Sequence, residues 1–402
     1  MQQARILIIG AGLAGLSLGQ GLKQAGIPFR IFERDGAASF RAQGYRIRID
    51  QRGAEGLRRL LPAELYQAFE STSSDVIHGG QQLDAATGKQ FENVQSRMPP
   101  KQGQAWNVDR TVIRNVLLTG LREHIDFGKK FVKYDLVQGG VIAHFADGLT
   151  AQGSMIIGAD GIRSPVRRQM LPNNVLLDTE GRAVFGKTVI DADTFKSIPE
   201  EIGNGISMAW TQDEPRIKLF CDVMRFDRTG KLPSTSQVEL PQDYIYWVLL
   251  FNKVCNNKSD EELAALTNEE SANFAKQLAS GWHERIRNIV DQQVPEAAST
   301  LFFLLSQAPL PIWESDTRVT LMGDSFHPMP PVGGTGANIA FADAADLLDM
   351  IKAGVTKEGL ARCEEFMRER SNTALKMVAG GAGHFIGMKP VKDLKPVDFS
   401  KI

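Results

Sequence analysis

The chain has 402 residues, of which 43 % are hydrophobic and 23 % charged, as in an ordinary globular protein of roughly two to three domains. Lysine and arginine together number 46 against 47 aspartates and glutamates, so the formal net charge is −1. This balance argues against a nucleic-acid-binding protein and against one held at an anionic membrane surface.

The cysteines and apolar runs limit the class further. Cys221, Cys255 and Cys363 are far apart and odd in number, so neither a disulfide framework nor a cysteine metal site is predicted, and a reducing, cytoplasmic location is expected. No segment has the roughly 18 consecutive apolar residues that cross a bilayer. The apolar run 6–19 imitates a signal peptide, but no small-residue cleavage site follows it before the charged segment 30–35.

A strand, a glycine-rich turn and a helix are predicted at the start of the chain. Residues 6–9 form a short apolar run typical of a strand buried on both faces. A helix is predicted over 16–25, and a second buried strand over 28–32 ends at Glu33. Together they form a βαβ unit of about 30 residues.

The turn of this unit has the sequence Gly-x-Gly-x-x-Gly. Gly10 permits the tight turn, Gly12 permits close approach of a pyrophosphate, and Gly15 permits close packing of helix on strand. The helix N-terminus favours phosphate, and Glu33 stands where a carboxylate accepts hydrogen bonds from a ribose. A carboxylate there favours FAD or NAD over NADP. The alternative is a glycine-rich turn without a ligand, and Arg34 and Arg41 are either phosphate contacts or plain surface charges.

Further elements follow in chain order. Asp109 is expected to cap a helix over 111–124, and a hairpin turning at 147–148 precedes a buried strand over 155–157. Thr267 is expected to begin a helix that runs to about residue 292. The predicted strands of an antiparallel sheet in the middle of the chain are 205–211, 217–224 and 244–251, with another strand at 301–305.

The last part of the chain returns to the character of the first. A buried strand over 319–322 leads into a proline- and glycine-rich loop and then a helix over 337–352. A second helix is predicted over 358–378, ending at the glycine pair 380–381. The tail from Lys389 is expected to lie on the surface or to fray.

Two further motifs follow predicted strands. Residues 158–164 read Gly-Ala-Asp-Gly-Ile-Arg-Ser, and residues 323–328 read Gly-Asp-Ser-Phe-His-Pro, continuing to Asn338. With the opening glycine motif they occur in order over 6–348. This order resembles the group A FAD-dependent monooxygenases, the aromatic hydroxylases with a p-hydroxybenzoate hydroxylase-like fold, and within them the enzymes of fungal and bacterial secondary metabolism.

The resemblance implies an α/β fold with a Rossmann-like FAD-binding domain, an inserted antiparallel β-sheet substrate domain and C-terminal helices. The expected FAD-binding domain comprises 1–75, 105–180 and 310–380. The substrate domain comprises 76–104 and 181–309, and the tail 381–402.

The resemblance also implies a reaction. FAD would bind non-covalently, NADPH or NADH would reduce it, and O2 would form a flavin C4a-hydroperoxide. One oxygen atom would then enter an electron-rich aromatic, enol or polyketide- or alkaloid-like small molecule. The expected assembly is a monomer or homodimer.

The residues expected to bind FAD lie in the three motifs or at nearby positions that match the family. Asp324 is expected to accept hydrogen bonds from ribityl hydroxyls, and the backbone after Pro331 is expected to face the flavin ring at a helix N-terminus. The full set is Gly10, Gly12, Gly15, Glu33, Arg34, Arg41, Arg46, Arg110, Asp160, Asp324, Pro331, Gly333, Gly336, Ala337 and Asn338.

The substrate side is predicted from the strand over 217–224. Its apolar positions, at 217, 219, 221 and 223, are expected to pack on the helix that begins at Thr267. The opposite face is mixed and suits a cavity that orients a polar aromatic molecule. The candidate catalytic residues are Arg48, Arg216 and Tyr246, and the candidate stacking residues are Trp210 and Phe220. The alternative is that the aromatic residues belong to the core and the arginines are solvated.

Two other functions remain open from the sequence. One is an alkene epoxidase or a reductase of the geranylgeranyl type on the same scaffold. The other is a non-catalytic protein that uses the fold to bind a partner. A two-dinucleotide disulfide reductase is disfavoured, because the sequence has one Gly-x-Gly-x-x-Gly and no redox cysteine pair.

Overall fold

The computed structural model describes residues 5–37, 45–74, 76, 80–91, 104–213, 216–228 and 238–401. Its strands are β1 (Ile6–Ile9), β2 (Phe29–Phe32), β3 (Arg46–Ile49), β4 (Gly80–Asp84), β5 (Trp106–Asp109), β6 (Ile125–Asp126), β7 (Phe131–Val137), β8 (Gly140–Phe145), β9 (Thr150–Gly153), β10 (Met155–Gly158), β11 (Leu176–Val189), β12 (Ile206–Trp210), β13 (Lys218–Met224), β14 (Tyr244–Asn252), β15 (Ser299–Ser306), β16 (Val319–Leu321) and β17 (Lys395–Pro396). Its α-helices are α1 (Leu13–Gln24), α2 (Gln51–Leu60), α3 (Ala63–Ser71), α4 (Arg110–Leu118), α5 (Pro165–Met170), α6 (Ala192–Ser197), α7 (Asp260–Ala265), α8 (Asn268–Leu278), α9 (Glu284–Asp291), α10 (Gly336–Lys352) and α11 (Lys357–Ile386).

A parallel sheet forms the first half of the architecture. Its strand order is β16-β10-β1-β2-β6, and each neighbouring pair is parallel. The residues of β1 and β10 are buried throughout, as expected for apolar strands covered on both faces. Because the strands are parallel, their carboxyl ends meet at one edge, where an open α/β sheet binds its ligand.

A second, larger sheet has the order β15-β11-β14-β13-β12-β4, with β17 added beside β11. Its neighbours are antiparallel except β4 and β12, which run parallel. Leu219, Cys221 and Val223 share one core with Phe274 of α8, which confirms the predicted apolar face. The opposite face, with Phe185 and Tyr246, belongs to the core of the parallel-sheet half. The predicted α/β fold with an antiparallel sheet is therefore confirmed.

Two predicted helices have different limits in the structure. The helix over 111–124 ends as α4 at Leu118, and a 3-10 turn follows over Arg122–His124. The single helix over 267–292 is two helices, α8 and α9, separated around Gly281, and the Nδ1 atom of His283 caps the second. Glycine lowers helix stability by only about 1 kcal/mol, so tertiary packing decides whether a helix continues through it. None of the helices in the described ranges is long and apolar enough to cross a membrane.

The end of the chain also differs from the prediction. Helix α11 runs through Gly380 and Gly381 and stops at Gly387, whose φ of 66° is left-handed. The tail that follows was expected to lie on the surface or to fray. It is largely exposed, but it pairs with the large sheet, because β17 lies beside β11 and the Val397 amide donates to the Leu176 carbonyl at 2.8 Å.

Candidate cofactor and substrate site

A large cleft lies at the carboxyl edge of the parallel sheet. Its volume is about 1650 Å³, above the roughly 300–1,000 Å³ of an ordinary small-molecule pocket, so an extended ligand fits. The glycine turn after β1, the acid after β2 and the acid after β10 all line it. Of the residues predicted to bind cofactor, those in its lining are Gly10, Gly12, Glu33, Arg34, Arg110 and Asp160. Arg41 lies outside the described residues.

The turn between β1 and α1 is as close-packed as its glycines suggest. Gly10 has a φ of 108°, and a Cβ atom there would lie 2.4 Å from the Ala159 carbonyl oxygen. A Cβ atom on Gly15 would lie 2.0 Å from the carbonyl oxygen of Gly10. Gly12 differs, because a Cβ atom there would meet nothing within 4 Å. The space above Gly12, at the N-terminus of α1, is therefore open to an anionic ligand.

Glu33 is held in place by the backbone of two loops. Its carboxylate accepts hydrogen bonds from the Ala11 amide at 2.7 Å and from the Asp35 amide at 2.9 Å. These bonds fix the carboxylate beside the glycine turn, and the residue is nine-tenths buried. Arg34, next in the chain, keeps about half of its side chain exposed at the cleft.

Asp160 carries an unsatisfied buried atom. Its Oδ2 accepts from the Val166 amide at 3.3 Å, whereas Oδ1 is buried and has no hydrogen-bond partner. Burial raises the pKa of this carboxyl to about 6. A ligand hydroxyl donating to Oδ1 would satisfy the atom, so this residue fits a ribose-bearing cofactor.

Helix α4 adds positive charge to the cleft. Arg110 and Arg114 are one turn apart and both line the cleft. Asp109 caps the helix as predicted, accepting from the Thr111 amide at 2.7 Å and from the Val112 amide at 3.2 Å. Burial, and to a lesser degree Arg110, lowers the pKa of Arg114. Two neighbouring guanidinium groups in a confined space favour an anion such as a diphosphate.

The loop after β16 is tied to the loop after β10 by Arg167, a residue that the sequence analysis missed. Its buried guanidinium donates to the carbonyls of Ile162 at 2.7 Å and Ser325 at 3.2 Å, and burial lowers its pKa to about 10. Asp324 lies in the same loop, with part of its surface exposed. The protein atoms around its carboxyl keep water away from the charged form, and this desolvation raises the pKa of the carboxyl. Helix α5 has only six residues and Arg167 falls in its last turn, where a cation is favourable, so no local conflict marked this residue.

His327, three residues after Asp324, is fully buried. Its Nε2 lies 2.6 Å from an Asp343 oxygen, and Asp343 also accepts from Arg370 at 2.8 Å. The carboxylate and its hydrogen bond raise the pKa of His327 above its ordinary value despite burial. These contacts fit a structural role for His327.

The segment 331–338 lies beside Asp324 and Arg48, but none of its residues lines the cleft. Gly333 and Gly334 have φ values of 79° and 66°, which favour glycine, and α10 begins at Gly336 beside Asp324. The Asn338 side chain accepts from the Asp50 amide at 2.9 Å and donates to the Arg48 carbonyl at 2.9 Å and the Gly334 carbonyl at 2.8 Å. Asn338 thus fixes this loop to the end of β3, and both its side-chain oxygen and its side-chain nitrogen are hydrogen-bonded within the protein. The other members of the predicted set here are Pro331 and Ala337.

Arg46 forms a contact different from the one expected. It was assigned to the cofactor, but its Nη2 atom lies 2.5 Å from an Asp222 carboxylate oxygen on β13 of the large sheet, and its guanidinium lies over the Phe220 ring. Asn107 also donates to Asp222, at 3.2 Å. The Asp222 carboxylate is therefore a buried junction between the β3–β5 ribbon and the sheet.

The structure brings together some of the predicted substrate residues. Tyr246 is buried between the rings of Phe185 and Phe220, at centroid distances of 5.9 and 6.2 Å. Arg48 is half-buried beside Gly334, and burial together with the nearby Arg46 lowers its pKa.

The other two predicted substrate residues lie apart from this group. Trp210 packs with Phe91 on the strand pair at the edge of the sheet, and Arg216 is exposed in the loop before β13. Among the described residues, no group of three or more histidine, cysteine, aspartate or glutamate side chains could hold a metal ion.

The glycine turn, the parallel strand order and the charged cleft define a dinucleotide-binding α/β protein. A family model described as "FAD binding domain" matches residues 3–380, and the chain belongs to that family. The donor groups present fit FAD, since the unpartnered Asp160 oxygen, the open space above Gly12 and the Arg110–Arg114 pair match hydroxyl and diphosphate groups.

Known relatives are monooxygenases by name. A dual O-methyltransferase/FAD-dependent monooxygenase of Phaeosphaeria nodorum is 36 % identical over 372 residues, covering 85 % of this chain and 39 % of that protein. One from Cercospora beticola is 32 % identical over 414 residues, covering 96 % and 47 %. The chain thus spans less than half the length of these two relatives.

A solved structure shows the same fold. It is a protein of Photorhabdus luminescens assigned as a FAD-containing monooxygenase, with a TM-score of 0.78 and 27 % identity. The similarity covers 95 % of this chain and 98 % of that one. The two folds therefore agree over nearly the whole length of both chains.

The contrast between Gly12 and Gly15 predicts two different defects. Gly15→Ala should destabilise the fold by roughly 1–3 kcal/mol, because the methyl group would strike the Gly10 backbone. Gly12→Ala should change the free energy of unfolding by less than about 1 kcal/mol but weaken FAD binding at least about tenfold, since the methyl group enters the space for the phosphates. Urea denaturation and FAD titration measure the two effects. Wild-type FAD affinity in Gly12→Ala would contradict the assignment.

The raised pKa of Asp160 predicts a pH dependence of stability. The pKa of this carboxyl is about 6 in the folded protein, against 3.8 for an ordinary aspartate. Its contribution to the free energy of unfolding is therefore largest below pH 4 and is lost as the pH rises toward 6. Asp160→Asn should therefore gain stability relative to wild type between pH 4 and 7, by up to roughly 3 kcal/mol. Urea denaturation of the flavin-free proteins checks this, with exposed Asp193→Asn as control. A pH-independent difference would refute it.

Proposed function

We propose that the chain is a FAD-dependent monooxygenase that inserts one oxygen atom from O2 into an electron-rich aromatic, enol or polyketide-like small molecule, with NADPH or NADH as reductant. Family membership and the names of the relatives support the reaction class. When bound, FAD supplies the redox chemistry, and the protein supplies binding, orientation and electrostatics.

The proposed division of the chain follows the two sheets. The parallel sheet with α1, α4 and α10 would hold the cofactor, and the large sheet would cover the substrate. Glu33, Asp160 and Asp324 would accept hydrogen bonds from cofactor hydroxyls, and Arg110 would face the phosphates. We also propose a monomer or homodimer in a reducing, cytoplasmic compartment, in line with three cysteines that form no disulfide with one another.

One observation carries the substrate side of the proposal. Within the described ranges, the half-buried Arg48 guanidinium has no hydrogen-bond or ion-pair partner. Nearby Arg46 is already neutralised by Asp222. A cation in this position, next to the Gly333–Gly334 loop, would hold an oxygen of the substrate that carries negative charge.

The aromatic residues on the sheet suit a flat substrate. Phe220 and Tyr246 are in edge contact, and the pKa of the Tyr246 phenol is raised well above its ordinary value by burial, so the hydroxyl stays protonated and is available to donate. The surrounding apolar packing would keep water away from the reacting atoms. Arg48 and Tyr246 are therefore proposed to orient the substrate, while the reacting oxygen comes from the cofactor side.

The reaction class is tested by mixing the holoenzyme with candidate phenols and enols. In air, a true substrate should stimulate NADPH or NADH oxidation, consume O2 and yield a product that is one oxygen atom heavier. Without O2, the flavin absorbance should bleach and no product should form. Product formation without O2 would favour the reductase alternative, and absence of flavin reduction by either nucleotide would refute the proposal.

The role of Arg48 is tested by a matched pair of variants. Arg48→Met should keep its FAD content and its substrate-free nucleotide oxidation, but the product formed per nucleotide consumed should fall at least about tenfold, the loss of one good hydrogen bond in the transition state. Arg52→Met, four residues later in the chain and exposed on α2, should remain coupled as in wild type. Full coupling in Arg48→Met would place the substrate elsewhere on the sheet.

A further inference from the structure

The FAD cleft has a wall that does not come from the parallel-sheet half. Lys187 of β11, in the large sheet, lines it, and so do Val294, Glu296 and Ala297 just before β15. The two segments are joined, because the Val294 amide donates to the Lys187 carbonyl at 2.8 Å. A ligand in the cleft would therefore touch the large sheet as well as the glycine turn.

Lys187 is held in position by a buried carboxylate. Its ammonium is hydrogen-bonded to Asp109 Oδ2, the same oxygen that accepts from the Tyr244 hydroxyl at 2.8 Å. The ammonium also lies 4.2 Å from the centre of the Tyr244 ring. The Asp109 side chain is 2 % exposed and that of Lys187 is 16 % exposed, so the lysine still reaches the cleft.

The Asp109 carboxylate also orients the cations that helix α4 presents from the parallel-sheet half. Oδ1 of Asp109 caps α4, the helix that presents Arg110 and Arg114 to the cleft. Asp109 thus places three cations, from both halves of the molecule, around one space. An ammonium has three N–H donors, and Asp109 takes one of them. The acids on the cleft wall are Glu33, Asp35, Asp160 and Glu296.

We infer that Lys187 is a cofactor-binding residue supplied by the large sheet, and that its ammonium contacts the diphosphate of FAD. This inference rests on the proposed use of FAD. The three motifs all lie in the parallel-sheet half, and Lys187 adds a cofactor contact from the large sheet. Cofactor binding is therefore linked to the packing of one half against the other. Asp109 and Tyr244 are positioning residues in this arrangement, because they act through Lys187 and α4.

The test is FAD titration of the flavin-free full chain, with the quenching of flavin fluorescence as the readout. Lys187→Met should raise the Kd for FAD about tenfold, and the affinity should fall less steeply with salt than in wild type, because one charge facing the phosphates is gone. Lys187→Gln keeps a hydrogen-bond donor for Asp109 but carries no charge, so its affinity for FAD should fall as much as that of Lys187→Met. Lys187→Arg keeps the charge and should bind FAD within about threefold of wild type. Lys196→Met, at an exposed position on α6, is the control.

The possible outcomes separate the two claims. Wild-type affinity in both Lys187→Met and Lys187→Gln would overturn the inference. Equal losses in Lys187→Arg and Lys187→Met, with an unchanged salt dependence, would also overturn it, since they would show a packing role only. If the wild-type chain itself bound no FAD, the proposed function would fail rather than this contact alone.

Discussion

The close approach of three backbone segments at the end of β1 is the constraint on which the site depends. Gly10 and Gly15 are in near contact with each other, and Gly10 also touches the Ala159 backbone after β10. Without a side chain at these positions, α1 can begin directly above the sheet edge. That placement opens the space at Gly12 and brings the acids after the other strands to the same cleft.

Buried carboxylates hold the two halves of the molecule together. Asp109 joins α4 to Lys187 and Tyr244, and Asp222 joins Arg46 and Asn107. A buried charge is costly unless it is paired, so each carboxylate favours one relative placement of ribbon, helix and sheet. The chemistry proposed here needs this precision, because the proposal places the cofactor on the parallel-sheet half and the substrate under the large sheet.

The sequence predicted those features that depend on local spacing. The glycine turn, Glu33, the Asp109 cap and the alternating face of β13 are each encoded within a few residues, and the structure has them in place. Helix limits were less predictable, because the helix through Gly380 and the break near Gly281 depend on packing against distant elements. The family resemblance supplied the motif residues but no contacts.

The features that the sequence did not predict are contacts between residues far apart in the chain. Arg167 bonds to a carbonyl 158 residues away, and Lys187 bonds to Asp109 across 78 residues. Asn338 bonds to the Arg48 carbonyl and the Asp50 amide, nearly 300 residues earlier in the chain. The pairing of Asp222 with Arg46, a residue that we assigned to the cofactor, could not be read from either segment alone.

The most direct test of the account is isotopic. The holoenzyme should be supplied with NADPH or NADH, a substrate that stimulates nucleotide oxidation, and ¹⁸O₂ in ordinary water. Mass spectrometry of the product should show one ¹⁸O atom per molecule, because the proposed reaction takes its oxygen from O2. A product that carries oxygen from water, or that differs from the substrate by two hydrogens and no oxygen, would contradict the assignment as a monooxygenase.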